Sequence, residues 1–138
     1  MATTKTPLGL MIPIQNGNSG YFDQAYDTFT QKRMNIINLL RTRIGERRMQ
    51  PLFGSRLWTV AFEQNTELLP EIIRNIVTED INRWIDGVSV KKVTVSIPKI
   101  NETTDYRDIY TVLVQVNFVD VTSQQEGSIE IYIDSGKL

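Results

Sequence analysis

A chain of 138 residues, 41% hydrophobic and 22% charged with a net charge of −1, fits one ordinary globular domain and supplies no overall field to steer it to nucleic acid or an anionic membrane. It contains neither cysteine nor histidine, which removes a disulfide framework, a thiolate nucleophile and the commonest general base and transition-metal ligand. No apolar run approaches the ~18 residues of a membrane span and no basic-then-apolar signal opens the chain, so the expectation is a soluble protein, intracellular when made.

Residues 1–29 carry Pro7, Gly9, Pro13, Gly17 and Gly20 and are expected to form an extended N-terminal arm, distinct from a domain spanning 30–138. Leu8, Leu10, Ile12 and Ile14 alternate along it and give it one sticky face. Such an arm is either loose or ordered against a neighbouring subunit. Thr30 can cap a helix running through Arg43, with Met34, Ile37, Leu40 and Ile44 at 3-and-4 spacing and Gly45 placed for a left-handed C-terminal residue. Ser55 can cap a short helix that turns Leu57, Trp58, Ala61 and Phe62 inward.

The strongest helical signal lies between Glu67 and Ile85. Ile72, Ile73, Ile76, Val77, Ile81, Trp84 and Ile85 make one stripe, with Glu71, Arg74, Glu79 and Arg83 opposite. Pro70 belongs in a first helical turn, which moves the start to Leu69, and Asp86-Gly87 ends the helix. Each stripe side chain contributes ~1.5–3 kcal/mol on burial before entropy is subtracted. Beyond Gly87 the period falls to two. Val93, Val95 and Ile97, then Val112, Val114, Val116 and Phe118, then Ile129, Ile131 and Ile133 alternate with mainly polar residues. The expected architecture is α+β, with two to three helices on one face of a small, open, antiparallel three-stranded sheet. Three strands cannot close a barrel, so both edges stay open.

The stretch Arg41 to Glu63 carries the most information. It places Arg43, Gly45, Arg47, Pro51, Phe53, Gly54, Leu57, Phe62 and Glu63 in one order: a helix tail, a glycine, an arginine pair, a Pro-x-Phe-Gly turn and a short apolar helix. This order resembles the signature of the small baseplate wedge proteins of contractile phage tails, a lysozyme-named family that initiates the tail sheath and has relatives in contractile injection and secretion systems. From Thr30 to Ile133 the element order agrees as well. The resemblance implies a structural role: linking the baseplate wedge and core to the first sheath ring and templating sheath assembly by strand addition. Implied partners are the tail sheath protein and baseplate wedge proteins, with tube or hub proteins as further neighbours. Neither nucleic acid nor membrane is expected as a partner. Several copies would stand around the tail axis of a virion, assembled in the host cytoplasm.

One departure concerns docking. The family's helix is followed by Glu-Pro-Arg, which docks on the wedge; here the stretch reads Trp84, Ile85, Asp86, Gly87 and Val88. Trp84 or Ile85 can replace that contact apolarly, with Asp86 supplying charge, or Trp84 belongs to the core. For strand addition the candidates are Ser128, Ile129, Glu130, Ile131, Tyr132 and Ile133, within a template of the strands Lys92–Ile97, Ile109–Val119 and Ser128–Ile133. The tail from Asp134 to Leu138 can itself reach a neighbour.

The alternatives are a peptidoglycan-cleaving baseplate lysozyme and the equivalent subunit of a bacterial contractile secretion or injection system. A glycosidase needs two carboxylates roughly 5–9.5 Å apart, one with a raised pKa. Glu63, Glu67, Glu71, Glu79, Asp80 and Asp86 are available, yet most fall on a polar helix face as solvated charge, so no enzyme is expected. Catalytic residues, metal ligands and cofactors are expected to be none, since the acid spacing fits no EF-hand and no glycine loop fits a phosphate. Arg41, Arg43, Arg47, Arg48 and Arg56 lie within 16 residues beside one acid, Glu46. No aromatic interleaves with them in the way a nucleic-acid surface requires. They are read as a solvated helix end or as loop-bracing and interface arginines, with the resemblance favouring bracing at Arg47.

Overall fold

The computed structural model describes residues 6–17, 20–60, 67–96 and 111–134. The expected positions Ala61, Phe62, Glu63, Ile97 and Ile109, and the tail beyond Asp134, lie outside them. Helix α1 (Thr28–Arg41) begins before the expected cap. Asp27 is extended, at φ −123° and ψ 153°, and its carboxylate accepts the Thr30 amide at 2.9 Å and the Thr30 hydroxyl at 2.8 Å. Asp27 is therefore the cap and Thr30 its client, because the carboxylate stands just ahead of the first turn and reaches an amide with no intrahelical partner. The helix also stops before Arg43. The Thr42 hydroxyl donates to the Asn38 carbonyl at 2.6 Å and the chain turns extended there. Ile44 thus leaves the helix and is exposed, and the buried stripe centres on Met34, Ile36, Leu39 and Leu40.

Helix α2 (Leu57–Val60) is a single turn, and α3 (Leu69–Trp84) starts at Leu69 with Pro70 in its first turn. Leu69, Ile73, Val77 and Ile81 are buried at four-residue spacing, while Ile76 and Trp84 are half-buried and Ile72 is exposed. The stripe is narrower than its sequence suggests because the sheet covers only one side of the helix. Gly87, at φ +73°, turns the chain into the sheet.

Two short strands inside the expected N-terminal arm, β1 (Gly9–Leu10) and β2 (Gln24–Ala25), pair antiparallel with each other. Gly9 sits over Gln31 of α1 and Ala25 is buried beside it, so small residues let this hairpin lie close to the helix.

Strands β3 (Val88–Ser96), β4 (Thr111–Asp120) and β5 (Glu126–Asp134) form an antiparallel meander with β4 in the centre, as their alternation requires. The first of them begins four residues before the expected Lys92. A bulge between Val90 and Lys92 explains the difference. Val88 and Val90 point inward before it; the extra residue reverses the parity, so Val93 and Val95 point inward after it, opposite Val116 and Val114. Val114 and Val116 in turn face Ile131 and Ile129. These side chains, with those of the helices, make one core. Phe118 stacks on Phe29 of α1 at 5.7 Å, and the pair occupies the space that a side chain at Gly127 would need.

A single ion pair pins three regions together. Lys32 on α1 donates to Asp120 at 2.7 Å and approaches the Gly87 carbonyl at 3.4 Å. Asp120 also accepts the Thr122 amide at 3.0 Å and the Ser123 hydroxyl at 2.9 Å, which shapes the β4–β5 turn. The Lys32 hydrogen bond, then those of Thr122 and Ser123, holds the Asp120 carboxyl below its ordinary 3.8. A depressed folded-state value stabilises above the ordinary value and is lost as pH falls through the folded one. Asp120→Asn is therefore expected to lower stability near neutrality and to flatten its fall from about pH 4 downward, read by urea unfolding across that range. An unchanged acid slope would show that other carboxylates govern it.

Candidate interaction site

Residues 42–55 fold into a closed loop between α1 and α2. The Ser55 amide donates to the Thr42 carbonyl at 2.9 Å and the Gly45 amide to the Pro51 carbonyl at 2.8 Å. Further turns join Glu46 to Arg43, Gln50 to Arg47 and Phe53 to Gln50. The Arg43 amide donates to the Glu46 carboxylate at 2.9 Å, so the one acid of the arginine cluster is a loop brace. Gly45 has φ +89°, a conformation that belongs to this loop and not to the end of α1. Gly54 has φ +137°, and a Cβ there would stand 2.8 Å from the backbone of Arg43 and Ile44. Both reasons call for glycine: the two ends of the loop cross with no room for a side chain.

The loop is mounted on α3 by Asp80, a carboxylate only 4% exposed. Asp80 accepts the Ser55 hydroxyl at 2.9 Å, the Arg56 amide at 3.1 Å, and Arg56 Nε and Nη2 at 3.2 and 3.1 Å. Ser55 Oγ accepts the Leu57 amide at 3.2 Å, the expected cap. Arg56 Nη2 reaches Glu79 as well, at 2.7 Å. Glu79 first, then the charge of Asp80, raises the Arg56 guanidinium above its ordinary pKa. Reading Asp80 as solvated charge on a polar helix face is thereby corrected. It lies one position before Ile81 on the buried side, where four donors replace the lost water. The signal available in the sequence was its place beside the apolar stripe.

Arginine–aromatic stacking completes the site. Arg47 lies 4.2 Å over Phe53, Phe53 packs edge-on to Trp84 at 5.2 Å, and Arg83 lies 5.5 Å over Trp84. Arg43 lies 4.8 Å over Trp58, whose indole donates to the Leu40 carbonyl at 3.0 Å. Aromatics thus do meet the arginines, Phe53 from within the arginine-bearing stretch and Trp58 and Trp84 from beyond it, and they are engaged within the chain. Leu57 is fully buried in the core, and Pro51 stands exposed in the loop. Ile44, Met49 and Leu52 face outward.

The candidate docking stretch divides. Ile85 is buried in the core, Gly87 lies beside Lys32, Trp84 is half-covered by Phe53, and Asp86 is exposed. The candidate strand-addition residues form β5, an edge strand with no partner on its outer side among the described residues. Ile129, Ile131 and Ile133 point into the core, whereas Ser128, Glu130 and Tyr132 are exposed. Among the described residues no group of three or more acids is placed to hold a metal, and no helix is long and apolar enough to cross a membrane.

A family model described as baseplate wedge protein gp25 matches residues 33–119, more than half of the chain. Among solved structures, a crystal structure from Geobacter sulfurreducens named as a tail lysozyme is similar at 18% identity and a TM-score of 0.68, covering 82% of this chain and 96% of that one. The baseplate of the anti-feeding prophage contains a chain similar at 20% identity and a TM-score of 0.63, covering 81% and 83%. The postcontracted pyocin R2 baseplate contains another, at 16% identity and 0.50, covering 89% and 99%. No curated protein matches the chain.

Gly54→Ala is expected to cost at least about 1–3 kcal/mol from backbone strain, with the clash against Arg43 in addition, measured as a shift in urea midpoint. A neutral effect would mean the loop can open without loss. Asp80→Ala is expected to cost about 1–3 kcal/mol for each donor left buried without water, and to raise proteolysis within residues 42–56, whereas Glu79→Ala at the exposed end of the same pair changes little.

Proposed function

The chain belongs to the baseplate wedge protein gp25 family, and from that membership we propose that it links the baseplate wedge to the first sheath ring and offers the sheath a strand template. It is a component of a contractile-tail baseplate, in a virion or a virion-like particle. The observation that carries the finer reading is the geometry of β5. Its outer edge is unpaired among the described residues, its inner side chains anchor it in the core, and Ser128, Glu130 and Tyr132 alternate on the exposed face. An edge held rigid from behind presents its backbone amides and carbonyls in fixed register to an incoming extended arm. Main-chain hydrogen bonds then supply affinity, and alternating side chains supply selectivity.

The wedge side of the molecule is assigned to the end of α3, with Trp84 and Asp86, at the base of the 42–55 loop. Gly54 and Asp80 hold this surface rigid, so little ordering entropy is lost when a partner binds it. Partners among wedge and sheath proteins, and several copies about the tail axis, accompany this reading. The role is structural rather than enzymatic. Five of its acids have architectural work: Asp80 mounts the loop, Glu46 braces it, Glu79 holds Arg56, Asp120 pins α1 and Asp27 caps it.

Mixing the full chain with the sheath and wedge proteins of its own particle and imaging the product by electron microscopy tests the proposal. The expected result is a ring or wedge in which a sheath strand extends the sheet at β5 while the end of α3, at Trp84 and Asp86, faces a wedge protein. Sheath assembly that proceeds with β5 unpaired, or around a ring lacking this chain, would overturn it.

A further inference from the structure

The hairpin formed by β1 and β2 lies before the residues that the family model matches, and it exposes several large apolar side chains. Its inner side is made of Gly9 and Ala25 against α1. The alternation of the strands therefore sends Leu8, Leu10 and Tyr26 outward, and Ile14, Tyr21 and Phe22 cluster toward its tip. All six are exposed, Tyr21 at 90%. Between Thr6 and Asp27 the chain carries no basic residue, and its two charges are Asp23 and Asp27. A small protein rarely leaves so many large apolar side chains together in water unless something covers them.

The same chain carries a surface of complementary chemistry. The 42–55 loop exposes Ile44, Met49 and Leu52, with Met49 at 97%. Beside them stand Arg41, Arg43, Arg47 and Arg48 against the single acid Glu46, whose carboxylate accepts the Arg43 amide. Arg48 is exposed and makes no ion pair among the described residues. One surface is apolar, aromatic and acidic; the other is apolar and arginine-rich. Guanidinium–aromatic packing is already the habit of this loop, since Arg43 and Arg47 each cover a ring of their own chain. No hydrogen bond or ring contact joins the hairpin to the loop within one copy among the described residues.

We infer that the hairpin of one copy docks on the 42–55 loop of a second copy, with Tyr21, Phe22 and Asp23 meeting Arg48, Met49 and Leu52. Because the two surfaces differ, the contact is head-to-tail. Each copy uses its hairpin once and its loop once, so repetition yields a closed ring or an open row and not a two-fold dimer. The contact is independent of strand addition at β5, and either can fail without the other.

Sedimentation velocity on the full chain, with two exposed-site variants, tests this. Phe22→Lys spoils the hairpin and leaves the loop; Arg48→Ser spoils the loop and leaves the hairpin, without giving the introduced lysine a new carboxylate to pair with. Wild type is expected to associate in a concentration-dependent way, and each variant alone to associate at least about tenfold more weakly. An equimolar mixture of the two variants retains one good hairpin and one good loop, and is expected to form a dimer and nothing larger. Circular dichroism checks that both variants stay folded, which their exposure favours. The inference is overturned if wild type stays monomeric to the order of 1 mM, if Phe22→Lys associates as wild type does, or if the mixture stays monomeric.

Discussion

The buried carboxylate of Asp80 is the constraint on which the arrangement of the candidate site depends. A carboxylate removed from water is tolerated only where donors replace the hydration it has lost. Here the donors come from Ser55 and Arg56, 25 and 24 residues earlier in the chain. The requirement works in both directions. Asp80 cannot stay where α3 puts it unless the end of the loop comes to it, and the loop end is held only because α3 is there. With Ser55 anchored, Gly54 must pass over the backbone of Arg43, and the chain between them closes. Phe53 is then delivered to Trp84, and Arg47 to Phe53.

The sheet side follows a different logic. Alternating Val and Ile residues secure burial and pairing, but they do not by themselves orient the helices over the sheet. That is done at two points. Phe29 packs on Phe118 across the space left by Gly127, and Lys32 reaches Asp120. Lys32 is a cation at the edge of a helix stripe, with a stem that crosses apolar surface to a charge at the sheet's end. The rigid sheet behind β5 and the rigid loop at the other site are thus products of separate polar anchors on a shared apolar core. Two surfaces can consequently face different neighbours without one distorting the other.

Much of the architecture was legible in the residues. Leu69 with Pro70, the period change after Gly87 and the three alternating runs led to the observed element order and to the antiparallel meander. The motif from Arg43 to Leu57 indicated a turn with Gly54 in a left-handed conformation; Gly54 does cross the Arg43 backbone there, and Arg47 lies over Phe53. Boundaries were less legible. Asp27 displaced Thr30 as cap because a carboxylate directly before the helix outcompetes a hydroxyl inside it, and the bulge at Lys91 hid the start of β3 by reversing its parity.

The properties that could be read from the chain were local: which segments are helix or strand, which face of each is apolar, and that no cysteine or histidine chemistry is available. They depend on neighbours within one or two turns, so periodicity and composition carry them. Folding in three dimensions was needed to establish that Asp80 is buried while Glu79 beside it is not, that aromatics meet the arginines, that Ile85 is core, and that an expected arm contains a hairpin with an apolar outer face. Most of these depend on a partner distant in sequence. The free energy of a charge or an aromatic ring is set by what surrounds it in space, and a linear pattern does not record that.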